Sequence, residues 1–348
     1  MSAPAIAALR SAFNAKITLL TSSMARPVTS LLNDIDEVIV FDLPWVKKAA
    51  ASDQEIPSII QQLKQRQFDA AVIFTVFSQN PLPAAMLAYM AGIPKVLAYC
   101  RENPYDLITD WIPDAEPYTF MQHQVRRDLE LVAAVGAAAV QDDIRINILP
   151  EFSTTVSEKL QTLGIQPNKP WLILHPGVSE EKRQYPQADW VELGKKLTSA
   201  GYQLLITGSA KEKEITASLS AAIGQGAYSL GSVCSFGEFT ALIKMSPLVI
   251  SVNTATIHIA SATSTPVIVL YALSNPQHLP WKAKGRYFAF EIKETLRSRN
   301  EVLKFVHGRM DLTPVQLFTP EDVYAAAVEI LEKPQTAASF PELVEIGK

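Results

Sequence analysis

Two apolar stretches decide the fold of this chain: WLILHPG at residues 171–177 and LVISVNTATIHIASATSTPVIVLY at residues 248–271. In both, an apolar run of about five residues ends in a loop of Gly, Pro, Asn or Thr, as expected of a buried parallel strand. LLITGSAKEKE (residues 204–214) repeats the pattern between them. Ligands of open parallel sheets bind beyond the carboxyl ends of the strands, so the loops after these strands predict a binding site.

The composition is that of a globular chain with two domains. Its 348 residues are 48% hydrophobic, which suffices for two cores of roughly 150 residues each. A net charge of −4 gives no overall basic field, so nucleic-acid binding is not expected. The chain shows no apolar run near the roughly 18 residues of a membrane span and no secretory signal, which predicts a cytoplasmic protein. Cys100 and Cys234 lie far apart, so neither a disulfide framework nor a zinc site is expected.

Alternating helical and strand patterns predict an α/β fold of two doubly wound domains. An N-terminal domain is assigned to residues 1–150, a C-terminal domain to residues 151–334 and a tail to residues 335–348. Residues 142–168 are mixed and polar, which predicts a connection between the domains. The chain opens with the helical pattern PAIAALRSAF rather than with a strand and its loop. The first domain is therefore predicted to lack its first strand.

The turn Asn253-Thr254-Ala255 joins a buried-type strand to a helix. The free N–H groups and the dipole of such a helix suit a diphosphate. The alternative is that Asn253 or Thr254 merely caps a helix that binds nothing. His258 follows one helical turn later, where a histidine with apolar neighbours is more often structural than catalytic.

A second group of residues follows the strand at residues 171–175. His175 and Gly177 flank a proline in a turn, and Lys182 and Arg183 follow shortly after. A cation beside backbone N–H groups neutralises phosphate oxygens. The alternative is a hydrogen-bonded loop histidine with two solvated cations.

Thr207 and Gly208 end the next strand, and Glu212 falls at the start of the helix that follows. Acidic residues accept hydrogen bonds from the ribose at dinucleotide sites, although the macrodipole also favours acids at any helix start. Neither GxGxxG nor GxxxxGK[ST] occurs, which argues against a hydride-transfer Rossmann enzyme and a P-loop ATPase. Asp34 and Asp36 stand before a strand with no further ligand, so we interpret them as turn residues and expect no metal and no cofactor.

Cations outnumber acids in residues 281–310. Three glutamates accompany eight Lys or Arg residues, namely Lys282, Lys284, Arg286, Lys293, Arg297, Arg299, Lys304 and Arg309. Such a local excess suits an anionic acceptor or a membrane surface. The simpler interpretation is a solvated face.

Several of these elements together resemble glycosyltransferase family 9, the ADP-heptose:lipopolysaccharide heptosyltransferase family. They are the HPG turn, the basic-x-aromatic-Pro element at residues 183–186, the TG turn, the turn at Asn253 with His258, and Thr265-Pro266. Their order and spacing match over most of residues 3–331. The resemblance implies a GT-B fold, in which two Rossmann-like domains face each other across a cleft. Residues 1–150 would then form the acceptor-side domain and residues 151–334 the nucleotide-sugar-binding domain. It also implies an inverting transfer that needs no metal.

The resemblance also implies roles for individual residues. Arg183 and Lys182 face the diphosphate of the donor, and Glu212 approaches the adenosine ribose. The phosphate turn, supported by His258, is formed by Asn253, Thr254 and Ala255. The family's general-base aspartate lies in a glycine loop after the first strand, for which this chain has no match, so the catalytic residues are not assigned.

Two amides stand where the family commonly has acids. Residues 253–255 read Asn-Thr-Ala in place of Asp-Thr-Gly, and residues 272–276 read Ala-Leu-Ser-Asn-Pro in place of Gly-Pro-Thr-Asp-Pro. These departures leave the donor preference open.

The sequence therefore predicts a cytoplasmic glycosyltransferase that uses ADP-heptose or a similar nucleotide-sugar donor. The acceptor implied by the resemblance is a lipopolysaccharide core or a related lipid-linked or polysaccharide glycan, with peripheral contact at the inner membrane surface. An alternative of a different class is a non-catalytic or truncated nucleotide-sugar-binding protein of the same fold. A GT-B-like epimerase is a third hypothesis.

Overall fold

The computed structural model describes residues 1–46, 55–272, 275–309, 318–333, 340 and 343–344. Contacts between residues divide the chain into two units. The first unit comprises Met1–Ile144, Asn300–Met310 and Leu343–Lys348, and the second comprises Arg145–Arg299 and Asp311–Glu342. The division at Ile144 is near the boundary at residue 150 expected from the sequence, whereas the return of C-terminal segments to the first unit was not expected.

Helices and strands alternate through most of the chain. The helices are α1 (Ala3–Phe13), α2 (Arg26–Thr29), α3 (Glu55–Arg66), α4 (Leu82–Met90), α5 (Gln124–Ala133), α6 (Pro150–Thr162), α7 (Gln187–Ser199), α8 (Lys213–Ile223), α9 (Phe236–Met245), α10 (Ala255–Ala262), α11 (Glu301–Arg309) and α12 (Pro320–Glu332). The strands are β1 (Thr18–Thr21), β2 (Glu37–Val40), β3 (Ala71–Ile73), β4 (Val96–Cys100), β5 (Asp110–Pro113), β6 (Met121–Gln122), β7 (Trp171–His175), β8 (Gln203–Gly208), β9 (Ala227–Gly231), β10 (Val249–Val252), β11 (Val267–Ala272), β12 (Gly285–Phe290) and β13 (Leu343–Val344).

The first unit has two sets of parallel strands. One set is β3, β4 and β5, and the other is the pair β1 and β2, while β6 pairs antiparallel with β13. Every residue of β1 and β3 is half-buried, and each of these strands has a single paired neighbour among the described strands. The chain opens with α1, as predicted. That this domain lacks its first strand stays a prediction from the sequence.

The second unit contains a parallel sheet of six strands in the order β12-β11-β10-β7-β8-β9. The chain starts at β7, moves outward through β8 and β9, and then returns to build β10, β11 and β12 on the other side of β7. This is the strand order of dinucleotide-binding Rossmann domains. The direction reverses between β7 and β10, so the ligand crevice of this sheet lies at the carboxyl ends of those two strands.

Both faces of this sheet are covered, which explains the unbroken apolar runs. Along β7, Leu172 and Leu174 pack in one core with α7, α8 and α12, and Ile173 packs in a second core with α6, α9 and α10. Successive side chains of a strand point to opposite faces, so a strand with helices on both faces must be apolar throughout. Every residue of β10 and β11 is accordingly buried.

The stretch predicted as a polar connection contains a helix, α6. Val156 and Leu160, four residues apart, are buried in the core that α9 also joins, and the other positions of α6 are largely polar and exposed. A helix that buries only one narrow stripe has too few apolar residues to stand out from a polar connection. The prediction of a connection across residues 142–168 is therefore wrong for Pro150–Thr162.

The last predicted helix is α12, and its N-terminus is capped as expected. The Thr319 backbone N–H donates to Asp322 Oδ2 (2.7 Å), and the Asp322 N–H donates to Thr319 Oγ1 (3.4 Å). Of the predicted tail, only residues 340 and 343–344 fall inside the described part of the chain. No helix within the described ranges is long and apolar enough to cross a membrane.

Candidate functional site

The candidate site lies at the carboxyl ends of β7 and β10. His175, the last residue of β7, pairs in register with Ser251 of β10. Asn253 lies two residues beyond that pair. The loop after β7 and the turn before α10 therefore start side by side at the point where the strand order reverses.

His175 ties the end of β7 to the end of β8. Its Nδ1 and Thr207 Oγ1 form a hydrogen bond of 2.9 Å, and its ring lies 5.4 Å from that of Phe239. The side chain is nearly buried, at 9% exposure. Burial lowers the pKa of His175 to about 4, although the nearby Glu212 carboxylate opposes the shift. The imidazole is therefore neutral near pH 7.

Glu212 sits directly against the HPG turn. Its Oε2 accepts a hydrogen bond of 2.6 Å from the Ser209 backbone N–H, in a reciprocal capping box. A Cβ added at Gly177 would overlap the Glu212 carboxylate, lying 2.7 Å from Oε2. At Gly208, an added Cβ would lie 3.0 Å from the Glu212 Cβ. Gly177 is therefore required by the close approach of Glu212, and Gly208 by that of Glu212 together with Thr216, whose Cγ2 would lie 2.9 Å from an added Cβ.

Arg183 lies in the loop after β7 and places its positive charge at the start of α10. Its Nη1 donates to the backbone carbonyl of Asn253 (3.2 Å), and its Nη2 pairs with Glu180 Oε1 (3.1 Å). Lys182 pairs with the same carboxylate (2.6 Å). Partial burial opposes ionisation of Glu180, but these two cations hold its pKa below the usual value. The Arg183 Nε is buried, with no acceptor among the described residues.

At the turn between β10 and α10, the N-cap side chain makes no capping hydrogen bond. The Asn253 amide instead spans to Ala272 at the end of β11, accepting from its N–H (3.2 Å) and donating to its carbonyl (3.4 Å). Thr254 occupies the N-cap position without a capping hydrogen bond, and its hydroxyl is buried with no partner within the described part of the chain. The Thr254 side chain therefore does not cap α10, while binding of a diphosphate at this turn stays a prediction. The first N–H groups of α10 are not claimed by the N-cap side chain.

The sequence-predicted residues fall into two groups at this sheet edge. One group surrounds the Glu212 carboxylate and consists of His175, Gly177, Thr207, Gly208 and Glu212. The other surrounds the start of α10 and consists of Lys182, Arg183, Asn253, Thr254 and Ala255. His258 is half-buried within α10 itself.

Three contributing residues escaped the sequence reasoning. Glu180 orients both cations, Phe239 supports the His175 ring, and Ala272 receives the Asn253 amide. A signal existed for Glu180, because it stands three residues before Arg183 with opposite charge. The other two come from distant parts of the chain and gave no local signal.

Several of the remaining predicted residues have structural partners. Asp36 pairs with Arg10 (2.6 Å) and accepts from the Ile17 N–H (2.7 Å), which together lower its pKa to about 2. In the basic segment, three cations are paired with glutamates: Arg286 with Glu329, Arg297 with Glu291 and Lys304 with Glu301. Within the described residues, no group of three or more His, Cys, Asp or Glu is placed to hold a metal.

The family model of glycosyltransferase family 9 (heptosyltransferase) matches residues 56–303. The chain belongs to this family. The GT-B fold class predicted from the sequence is confirmed by the likeness to solved heptosyltransferases, and the prediction of a glycosyltransferase of heptosyltransferase type is confirmed by the family match.

Individual relatives are distant in sequence and similar along most of their length. Lipopolysaccharide heptosyltransferase 2 of Escherichia coli K12 is 25% identical over 274 residues, which are 76% of each chain. The solved E. coli ADP-heptose lipopolysaccharide heptosyltransferase II has a TM-score of 0.68 at 19% identity, covering 96% of this chain and 95% of its own. The E. coli heptosyltransferase WaaC, solved with ADP, has a TM-score of 0.60 at 16% identity, covering 88% and 92%.

Proposed function

We propose that this family 9 protein transfers heptose or a related sugar from an ADP-activated donor to a lipopolysaccharide core or related glycan by inverting displacement. The observation that carries the donor half is the start of α10. A helix N-terminus without a side-chain cap, with the Arg183 guanidinium held against it, offers backbone donors and a positive charge at one point. Both stabilise a diphosphate.

The same groups serve the chemical step. When the bond from the sugar to the diphosphate breaks, negative charge grows on the departing ADP. Donors already fixed by the fold stabilise that charge without having to reorganise. In this proposal, Arg183 and the backbone N–H groups in the first turn of α10 stabilise the negative charge on the departing ADP, and Lys182 lies nearby. A base must take the proton of the acceptor hydroxyl, and we assign no residue to that role.

We assign the nucleoside end of the donor to the group around Glu212. One oxygen of Glu212 is held by the Ser209 N–H, and the other carries the hydrogen-bonding capacity for a ribose diol. His175, which is neutral near pH 7, stands beside Glu212 and adds no positive charge at the ribose. His258 supports the phosphate turn from within α10, as the family resemblance implies.

We infer the acceptor and the location in the cell from the similar proteins. The first two relatives named above are lipopolysaccharide heptosyltransferases, and residues 281–310 of this chain carry an excess of cations. We therefore propose a cytoplasmic enzyme with peripheral contact at the inner membrane surface. Co-sedimentation with anionic vesicles tests this contact, and binding that does not fall with added salt would contradict a role for the basic segment.

The donor proposal is tested by calorimetric titration with ADP, UDP and GDP, followed by a transfer assay with ADP-heptose and a heptose-deficient core oligosaccharide. We expect ADP to bind most tightly and the sugar to be transferred. Failure of every nucleotide to bind would overturn the donor site. Binding of ADP without transfer would favour the non-catalytic alternative.

A further inference from the structure

The first unit displays two large aromatic side chains on one short loop. Tyr118 is 50% exposed and Phe120 is 47% exposed, and both lie between β5 and β6. The loop begins at the carboxyl end of β5, the edge at which parallel sheets bind ligands. Exposed aromatic residues grouped in this way are typical of recognition surfaces rather than of scattered surface residues.

A buried network of ion pairs holds this loop in place. From α5, Arg127 donates Nη1 to Asp114 Oδ1 (2.8 Å) and to Glu116 Oε2 (2.6 Å), and Nη2 to Asp114 Oδ2 (2.9 Å). None of these three side chains is more than 5% exposed. The Gln122 N–H donates to Glu116 Oε1 (2.7 Å), which fixes the far end of the loop. The aromatic pair therefore stands on a rigid base.

Two neighbouring side chains also position the Tyr118 ring. The Phe305 ring lies 4.9 Å from it, and the Arg101 guanidinium carbon lies 5.2 Å from its centre. Arg101 makes its contacts through Nη2 alone, donating to the carbonyls of Phe77 (3.0 Å) and Glu116 (2.6 Å) and pairing with Asp114 (3.3 Å). Its Nη1 makes no hydrogen bond within the described residues, and the side chain is 27% exposed.

We propose that Tyr118, Phe120 and Arg101 form the binding surface for the acceptor saccharide. The proposal rests on the function proposed above and adds the place where the acceptor is recognised. The electron-rich face of an aromatic ring attracts the weakly positive C–H face of a sugar ring. The Arg101 Nη1 then donates to a hydroxyl or carboxylate oxygen of the same sugar.

The chemistry of this surface favours a saccharide over other occupants. An acyl chain needs an apolar groove, whereas the Tyr118 ring adjoins a guanidinium with an unused donor, above a base of buried ions. A sugar uses both the ring faces and the donor. Because the loop is already fixed, little conformational entropy is lost when it binds.

The test measures binding of a core oligosaccharide freed of its acyl chains, without any donor, to the full chain. Tyr118→Ala and Phe120→Ala should each raise the Kd of the oligosaccharide by about tenfold or more, since a stacked aromatic anchor contributes much of the binding energy of a small interface. The matched control is Tyr105→Ala, which removes a tyrosine that is 80% exposed in the same unit. It should bind like the unchanged protein, and all three variants should keep the same thermal midpoint and the same affinity for ADP.

Three results would overturn this inference. The first is that the unchanged protein does not bind the oligosaccharide, and the second is that Tyr118→Ala binds it as tightly as the unchanged protein. The third is a self-association that Tyr118→Ala abolishes, which would assign the surface to a second copy of the chain. Failure of ADP to bind is a separate result. It would count against the proposed donor site, because the oligosaccharide titration contains no nucleotide.

Discussion

Arg183 Nη1 donates to the backbone carbonyl of Asn253 across a distance of 3.2 Å, although the two residues are 70 positions apart in the chain. Arg183 comes from the loop after β7, and Asn253 opens the turn into α10. The contact sets a cation beside the start of a helix whose N-cap side chain makes no capping hydrogen bond. The candidate anion site is therefore assembled from two loops that only the sheet brings together.

Arg183→Ala should weaken ADP binding by about tenfold to a hundredfold, because a charge-assisted hydrogen bond contributes about 1.5–3 kcal/mol. Thermal unfolding should change little, since the side chain is partly exposed. Calorimetry with ADP measures the effect. The matched control is Arg286→Ala, which removes an exposed arginine of the same unit. Equal affinity of both variants for ADP would contradict our placement of the diphosphate.

Asn253→Ala should also weaken ADP binding, by a different route. The substitution removes both hydrogen bonds between the Asn253 amide and the Ala272 backbone. The turn before α10 then loses its tie to the end of β11, and we expect a loss of about 1–2 kcal/mol in stability. Urea unfolding and ADP titration on the same sample measure both effects. A destabilised variant with unchanged affinity would show that this tie does not position the phosphate turn.

Gly177→Ala should destabilise the protein by about 1–2 kcal/mol. The new Cβ displaces the Glu212 carboxylate, which then gives up its hydrogen bond from the Ser209 N–H. The control is Gly308→Ala, where an added Cβ meets nothing within 4 Å and helix propensity favours alanine.

The effects of Gly177→Ala and Glu212→Ala on the free energy of unfolding should be non-additive. In a Glu212→Ala background the displaced carboxylate is already gone, so Gly177→Ala should add little further cost. Urea unfolding of the four proteins measures this coupling. Additive losses would contradict it and would point to strain in the HPG turn itself.

Arg127→Ala should destabilise the first unit by about 3–5 kcal/mol, because it removes the buried cation bonded to Asp114 and Glu116 and leaves Asp114 only its longer pair with Arg101 (3.3 Å). Removal of the exposed Arg286, which pairs with Glu329, should cost less than about 1 kcal/mol. Denaturant unfolding, followed for each unit by a separate probe, distinguishes the two variants. Similar losses for both would show that the network at the base of the aromatic loop contributes no more than a surface pair.

His175 predicts a pH dependence of stability with a definite sign. Its pKa is about 4 in the folded protein, whereas an unperturbed histidine has a pKa of 6.5. The unfolded chain therefore binds more protons between these values, so stability falls as the pH is lowered through this window. From about pH 7.5 to about pH 5, this group should account for a loss of about 2 kcal/mol.

Comparison with His175→Gln isolates that contribution from the acidic groups. The variant should lose less stability than the unchanged protein over the same pH interval, whatever its absolute stability. Urea unfolding at both pH values measures the difference. Parallel losses in the two proteins would show that His175 titrates normally.

The second unit could be predicted from sequence in most of its elements, whereas α6 could not. Strands such as β7 and β11 are continuous apolar runs because both of their faces are buried, and that signal is local. In α6, Val156 and Leu160 form a narrow apolar stripe that a sequence pattern does not separate from a polar connection. The candidate site shows the same contrast, since its predicted residues follow strand ends that the sequence pattern locates, whereas the partners Phe239 and Ala272 come from distant parts of the chain.

The sequence by itself determined the alternation of strands and helices, the glycosyltransferase family and the identities of the residues at the strand ends. These depend on neighbouring residues and on motif spacing, which the chain carries locally. Only the tertiary structure decided that Glu212 caps the Ser209 turn against Gly177, that the Asn253 amide bridges to Ala272, and that Arg127 anchors the loop bearing Tyr118. The choice of a hydrogen-bond partner depends on which strands become neighbours, and the strand order is fixed by packing across the whole sheet.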